Sequence, residues 1–269
     1  MTGAPKAEKA LLLIAVFLVF LFVVMLVPGL SLMLGVLIPV PLTFVYVRFG
    51  RRVGLVFLTM VFMVLFILVG PKQAILFFTE YGVLAGVMAE TIRFRLSFDR
   101  CILFSALVSA MLSIALLLFV FSDRESTPLE FFKKQIDGHF AQSIETLKTM
   151  GDKSEELKVL QDFSGKASDS LVQAYPSFIA LGTFITALIN FYSTRFLWRR
   201  VGSEDIFCHA RFSGWTVPDQ VIWVLIGSST VFLLTNNILG TIGLNFLLIT
   251  LVAYFFQGLA ITIFFLESR

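Results

Sequence analysis

The chain has 269 residues, of which 58% are apolar and 14% charged, with a mean hydropathy of +0.91 and a formal net charge of +3. That apolar load exceeds what a soluble core can bury, so a soluble globular fold is excluded and the chain needs lipid as its solvent. The charges fall in a few short clusters and one polar block, with nearly uncharged stretches between them, which is the alternation of loops and spans.

The first stretch places Lys6 and Lys9 ahead of the apolar run from Ala10 to Val27. That core is too long for a secretory leader, and Pro28, Gly29 and Ser31 lead at once into more apolar sequence, so it reads as a retained first span. Taking about 20 apolar residues per crossing, further spans follow from Leu30 to Val47, Val53 to Val69, Ala74 to Ile92, Cys101 to Phe121, Pro176 to Trp198, Val221 to Leu239 and Leu244 to Leu266. The second carries Pro39 and Pro41 and the fourth carries Glu80 and Glu90; re-entry of either would change the count of about eight.

Short loops rich in Lys and Arg stay in the cytoplasm. With the N-terminus inside, the inner segments hold Lys6 and Lys9, then Arg48, Arg51 and Arg52, then Arg93, Arg95 and Arg100, then Arg195, Arg199, Arg200 and Arg211, and finally Arg269. The short outer loops hold only Lys72. Both termini are therefore expected in the cytoplasm.

The polar block from Ser122 to Tyr175 is the only part that reads like a soluble segment. Thr127, Pro128 and Glu130 form a capping box with proline at the first helical position. Leu129, Phe132, Ile136, Phe140, Ile144 and Leu147 then recur on one face of a helix ending near Gly151. Asp152 with Glu155, followed by Leu157, Leu160 and Phe163, predicts a second helix, and Ser164 to Ser170 reads as a connector. The insert could be a lid over an outer pocket or a docking surface for an envelope partner; a hairpin that buries its own stripes is the plainer reading. Its ten acidic against seven basic residues argue against nucleic acid or anionic lipid as its target.

Cys101 and Cys208 both map to the cytoplasmic side, where thiols stay reduced. Cys208 and His209 are adjacent, a spacing that suits no common ligand pair, and His139 lies on the opposite side, so no metal or other cofactor is expected. No Gly-rich phosphate loop, metalloprotease motif or nucleophile elbow is present, and no nucleophile with its base can be assembled, so no enzyme is expected.

Polar side chains inside spans carry the functional argument, since a charge at the bilayer centre costs roughly 2.5 to 3.5 kcal/mol. Glu80 and Tyr81 sit in the fourth span; Asn236, Asn237, Thr241 and Asn245 cluster at the outer ends of the seventh and eighth; Tyr254 and Gln257 lie deeper in the last. If those helices are neighbours, Glu80, Tyr81, Asn236, Asn237, Tyr254 and Gln257 would line an outward-facing ligand site. The competing reading is that each amide bonds a neighbouring backbone across a helix contact, which is favoured for Asn190 and Gln257 individually and left open for Glu80. Glu90 stands three residues before Arg93, and its simplest role is a local ion pair with it. Gly82, Ala85, Gly86 and Ala89 give overlapping small-x-x-x-small patterns on the same helix, a face for an internal contact or a partner subunit.

Phe212, Trp215 and Pro218 form an aromatic Phe-x-x-Trp-x-x-Pro loop at a membrane boundary, and the final helix carries Tyr254-x-x-Gln257-Gly258-Leu259-Ala260. In these two stretches the chain resembles the YybS-like family of predicted bacterial membrane proteins, whose function is unknown and whose architecture is similar to that of the substrate-binding subunits of energy-coupling-factor transporters. The resemblance implies a subunit that captures a small molecule from outside and relies on a separate cytoplasmic ATPase module. The chain departs from that pattern in having more than six spans and in carrying the insert.

The expected fold is all-α: a polytopic helix bundle with a membrane part over 1–121, an extracytoplasmic helical insert over 122–175 and a second membrane part over 176–269. The expected setting is the bacterial inner membrane. Two functions follow, a small-solute binding or transport subunit and a non-catalytic envelope scaffold; the expected partners are the lipid bilayer, a small ligand, and a coupling module or envelope protein, with no nucleic acid.

Overall fold

The computed structural model describes Val16, Phe20, residues 34–121, scattered positions from 130 to 145, residue 165, and residues 167–200, 206–207, 212–235 and 237–267. The expected first span, the capping box at Thr127, the second insert helix and the pair Cys208 and His209 lie outside the described residues. Within them the chain is all-α: α1 (Pro39–Phe49), α2 (Arg51–Leu68), α3 (Pro71–Phe77), α4 (Val83–Arg93), α5 (Phe98–Phe121), α6 (Tyr175–Arg200), α7 (Val221–Leu234) and α8 (Ile238–Glu267). Among the described residues, five stretches are long and apolar enough to cross a membrane: Arg51–Leu68, Ala74–Arg93, Phe98–Leu116, Tyr175–Arg200 and Ile238–Glu267.

The chain divides into two compact units, one of residues 1–113 with 182–211 and the other of residues 114–181 with 212–269. In the first, α1 is the centre. A 3-10 turn at Gly35–Leu37 precedes it, and Pro39 opens the helix, where the missing N–H costs nothing. Within the described part of the second expected span, a turn leads into a short helix, and Gly35–Phe49 covers about 22 Å. Every residue of α1 from Pro39 to Val47 is buried. A helix apolar on all sides is stable only when wrapped, and α2, α4 and α6 supply the wrapping: Phe57, Leu84, Met88, Ile92 and Phe191 are all buried.

Gly50 makes the α1–α2 turn with φ +90°, a conformation that suits glycine. Gly54, one turn into α2, lies against Tyr46: a Cβ there would stand 2.7 Å from the Tyr46 Cα. Phe98, Phe191, Phe207 and Trp198 continue the core as edge-to-face aromatic contacts at 5.2 to 6.2 Å.

In the second unit, α7 and α8 form a hairpin whose turn falls earlier than the sequence suggested. Helix α7 ends at Leu234, Thr235 is extended, and Asn237 caps α8 by accepting the Leu239 N–H at 3.0 Å. The expected boundaries, Leu239 and Leu244, missed this because the apolar run continues through the turn; an asparagine cap outweighs it. Close approach is possible because Gly243 faces α7, where a Cβ would lie 2.9 Å from the Phe232 nitrogen and 3.0 Å from the Ser228 oxygen. Helix α7 has 14 residues and α8 has 30, about 21 Å against 45 Å. The C-terminal half of α8 is met instead by the turn Phe212–Gly214, with Phe212 edge-on to Phe256 at 6.3 Å and Ser213 Oγ donating to Glu267 Oε2 at 2.9 Å.

Described positions between 130 and 145 are helical, with Ile136 and Ile144 half-buried among exposed neighbours, as the stripe predicts. The expected connector Ser164 to Ser170 is helical at 165 and 167–170, in a helix that continues to Gln173, because Ser168 and Val172, one turn apart, share a buried face.

Candidate functional site

Helices α3 and α4 are one span joined by a π-turn, Phe78–Gly82, with Glu80 at its middle. Such a wide turn shifts the backbone out of i→i−4 register and leaves a carbonyl without its usual donor. Ser109, fully buried on α5, meets this turn: its Oγ donates to the Glu80 carbonyl at 3.3 Å. Thr79 Oγ1 donates to the Ile75 carbonyl at 2.9 Å. The turn is thus held by hydroxyls where water is scarce. The Glu80 side chain is hydrogen-bonded to the neighbouring Tyr81 phenol. Tyr81 packs on Phe77 at 5.3 Å, and its hydroxyl stands 3.6 Å from where a Cβ on Gly35 would lie. Glu80 and Tyr81 therefore form one polar point in the first unit, at the only π-turn among the described residues.

The remaining expected ligand residues are Asn236, Asn237, Tyr254 and Gln257. Asn236 lies outside the described residues. Asn237 and Gln257 are twenty positions apart on a continuous helix, about 30 Å, and cannot touch one small molecule. Tyr254 and Gln257, one turn apart, are both half-buried, and the Gln257 Oε1 is buried without a hydrogen-bond partner among the described residues. Glu80 and Tyr81 belong to the first unit; Asn237, Tyr254 and Gln257 belong to the second.

Most of the amides serve the fold. Asn190 Nδ2 donates to the Val36 carbonyl beside the proline-opened start of α1 at 2.7 Å, the cross-helix bond expected of it. Asn245 does more than the sequence suggested. Its Oδ1 accepts the Ser177 N–H at 2.8 Å and its Nδ2 donates to the Gln173 and Thr241 carbonyls at 2.8 Å. One side chain on α8 thus caps the start of α6 and the end of the preceding helix, where Pro176 interrupts the chain.

Glu90 differs from expectation. It accepts a hydrogen bond from Tyr46 Oη at 2.5 Å and pairs with Arg51 Nε at 3.4 Å, not with Arg93. The tight α1–α2 turn delivers both groups to its end of α4, while an Arg93 Nη1 lies 3.4 Å from where a Cβ on Gly50 would stand. On the small-residue face, Gly82, Ala85 and Ala89 are buried, and a Cβ at Gly82 would meet the Phe78 ring at 2.8 Å. At Gly86 the nearest atom to such a Cβ is a Leu58 methyl at 3.8 Å, ordinary contact.

Sequence reasoning missed Ser109 and Gly35. Serine at 105 and 109 in an apolar span was the available signal, since spaced hydroxyls in a span ask for backbone carbonyls. Among the described residues no three His, Cys, Asp or Glu side chains gather into a group that could hold a metal.

Together these features define an all-α, multi-pass membrane protein whose polar interior groups mostly stabilise helix contacts. A family model described as a predicted membrane protein (DUF2232) matches residues 15–269. The chain therefore belongs to the DUF2232 family of predicted membrane proteins. No curated protein and no solved structure matches it.

Proposed function

We propose that the chain is a non-catalytic, small-solute binding subunit of the bacterial inner membrane. On this reading it takes its ligand from the outer side and acts with a separate cytoplasmic ATPase module, as the likeness to YybS-like proteins and to energy-coupling-factor substrate-binding subunits suggests. The observation that supports it is Glu80: a carboxyl group inside a span, on a π-turn whose carbonyl is held by Ser109. An ionisable group so placed costs free energy, as does an irregular helical turn, and both concentrate at working sites. A carboxylate beside a phenol receives cationic or N–H and O–H donor groups, so the expected solute carries one.

A thermal-shift screen of the detergent-purified protein against vitamins, nucleobases and amino acids tests this, because a ligand held at 100 times its Kd adds about 2.7 kcal/mol of stability. The expected result is a stabilising compound whose effect disappears in Glu80→Gln, with the unliganded variant melting normally. A stabiliser that acts equally on the variant would remove Glu80 from the site.

A second reading, an envelope scaffold, draws on different observations. Asn190, Asn237 and Asn245 are all engaged by backbone, and the insert carries a helix with a half-buried stripe at Ile136 and Ile144. Capture of a partner through the insert, with no ligand for Glu80, would favour it.

A further inference from the structure

The first unit contains a cavity of about 550 Å³, lined among others by Val16, Phe20, Leu37, Val40, Phe196 and Leu197. Its volume falls in the range of roughly 300 to 1,000 Å³ typical of ligand pockets. Its walls are almost wholly apolar, so a polar solute would lose its hydration there with little in return. It is also separate from Glu80, which is not among its lining residues.

One end of this groove is basic. The Arg200 guanidinium lies 5.0 Å from the centre of the Phe196 ring, which is itself a wall of the cavity. Arg48 lies 5.5 Å over Trp198, the residue after the lining Leu197. Arg199 and Arg200 close the last turn of α6. An apolar trench along a span, ending in guanidinium groups where the span meets the headgroup layer, matches a molecule with an acyl body and a phosphate head. Guanidinium forks suit phosphate oxygens, and basic pockets between spans bind acidic headgroups.

We propose that this groove binds one anionic phospholipid from the leaflet at the arginine end of the bundle, its acyl chain against Val40 and Phe196 and its phosphate at Arg200. The site neither contains Glu80 nor depends on solute binding. The experiment reconstitutes the full chain into vesicles of phosphatidylglycerol and phosphatidylcholine, extracts it into mild detergent, and counts retained lipid by native mass spectrometry.

The expected result is retention of one phosphatidylglycerol, enriched over its share of the mixture by about fivefold for each arginine engaged. Arg200→Gln, at an exposed position, should lower that enrichment about fivefold while some lipid is still retained. Ser193→Phe, at a half-exposed lining position, should remove retained lipid of both kinds. Wild-type retention without headgroup preference, or an unchanged preference in Arg200→Gln, overturns the proposal. Phosphatidylglycerol retained unchanged in a folded Ser193→Phe overturns it too, and if that variant does not fold, Arg200→Gln alone decides.

Discussion

The two compact units are held together by different means. In the first, α1 is buried on every side, and 44% of the window Ala74–Arg93 packed beside it is buried as well. In the second, only 11% of the α8 window is buried, and what is buried is small or polar: Gly240, Gly243 and Thr250, with Ala260. Lipid solvates a bare apolar helix, so association of the second kind rests on close backbone approach and on cross-helix hydrogen bonds. Dense packing resists added volume most. A polar clamp resists the loss of a single partner most.

Overfilling the first unit therefore gives the largest effect. In Gly54→Leu even the first side-chain carbon would stand 2.7 Å from the Tyr46 Cα, against backbone that cannot rotate away. The expected cost is about 3 kcal/mol or more, seen as aggregation on extraction or as a sharply lowered melting midpoint. Gly86→Leu on the neighbouring helix is the control: its nearest neighbour is a methyl at 3.8 Å, so it should cost much less. Equal behaviour of the two variants would refute the assignment of the tight contact to Gly54.

Removing the clamp from the second unit comes next. Asn245→Leu keeps the volume and deletes the acceptor for Ser177 and the donor for Gln173. A cross-helix hydrogen bond in a membrane contributes on average ~0.6 kcal/mol, so two of them predict a loss of about 1 kcal/mol, and more if the freed groups stay dry. The chain near Ala174 should also become more open to proteolysis. Unchanged melting and cleavage in Asn245→Leu would show that the helix break is held by something else.

How far the sequence revealed this contrast depends on the kind of signal. Hydropathy exposed the long spans because burying apolar surface is additive along a chain. The short helices were harder: Pro39 starts α1 and Asn237 starts α8, and in both places a local cap overrides an unbroken apolar run. Sequence shows only neighbours on one helix, and there the partner in reach of Glu90 is Arg93. The left-handed Gly50 turn brings Arg51 and Tyr46 closer. At the candidate site, Glu80 and Tyr81 were legible as costly residues in lipid. Ser109 shows in the sequence only as a hydroxyl in a span; its partner, the Glu80 carbonyl, lies on a π-turn that no local pattern announces.

The smallest effect is expected in the insert, where the second unit carries an ion pair. Lys133 Nζ lies 2.6 Å from Asp169 Oδ1, both side chains about half exposed, and the carboxylate raises the lysine above its ordinary value of 10.5. Because the folded value is the higher one, the stabilisation is fully present below pH 10.5 and is lost as pH rises through the raised value. Spin labels at Lys134 and Ser170, both exposed, read the spacing of the two insert helices in a chain freed of its cysteines. The spacing should hold at neutral pH and widen above the lysine range. It should loosen in 1 M salt, where screening acts over about 3 Å, and Asp169→Asn should remove both responses. A spacing indifferent to pH, salt and Asp169 would leave the half-buried faces at Ile136 and Ile144 as what holds the insert, making it a packed element like the first unit.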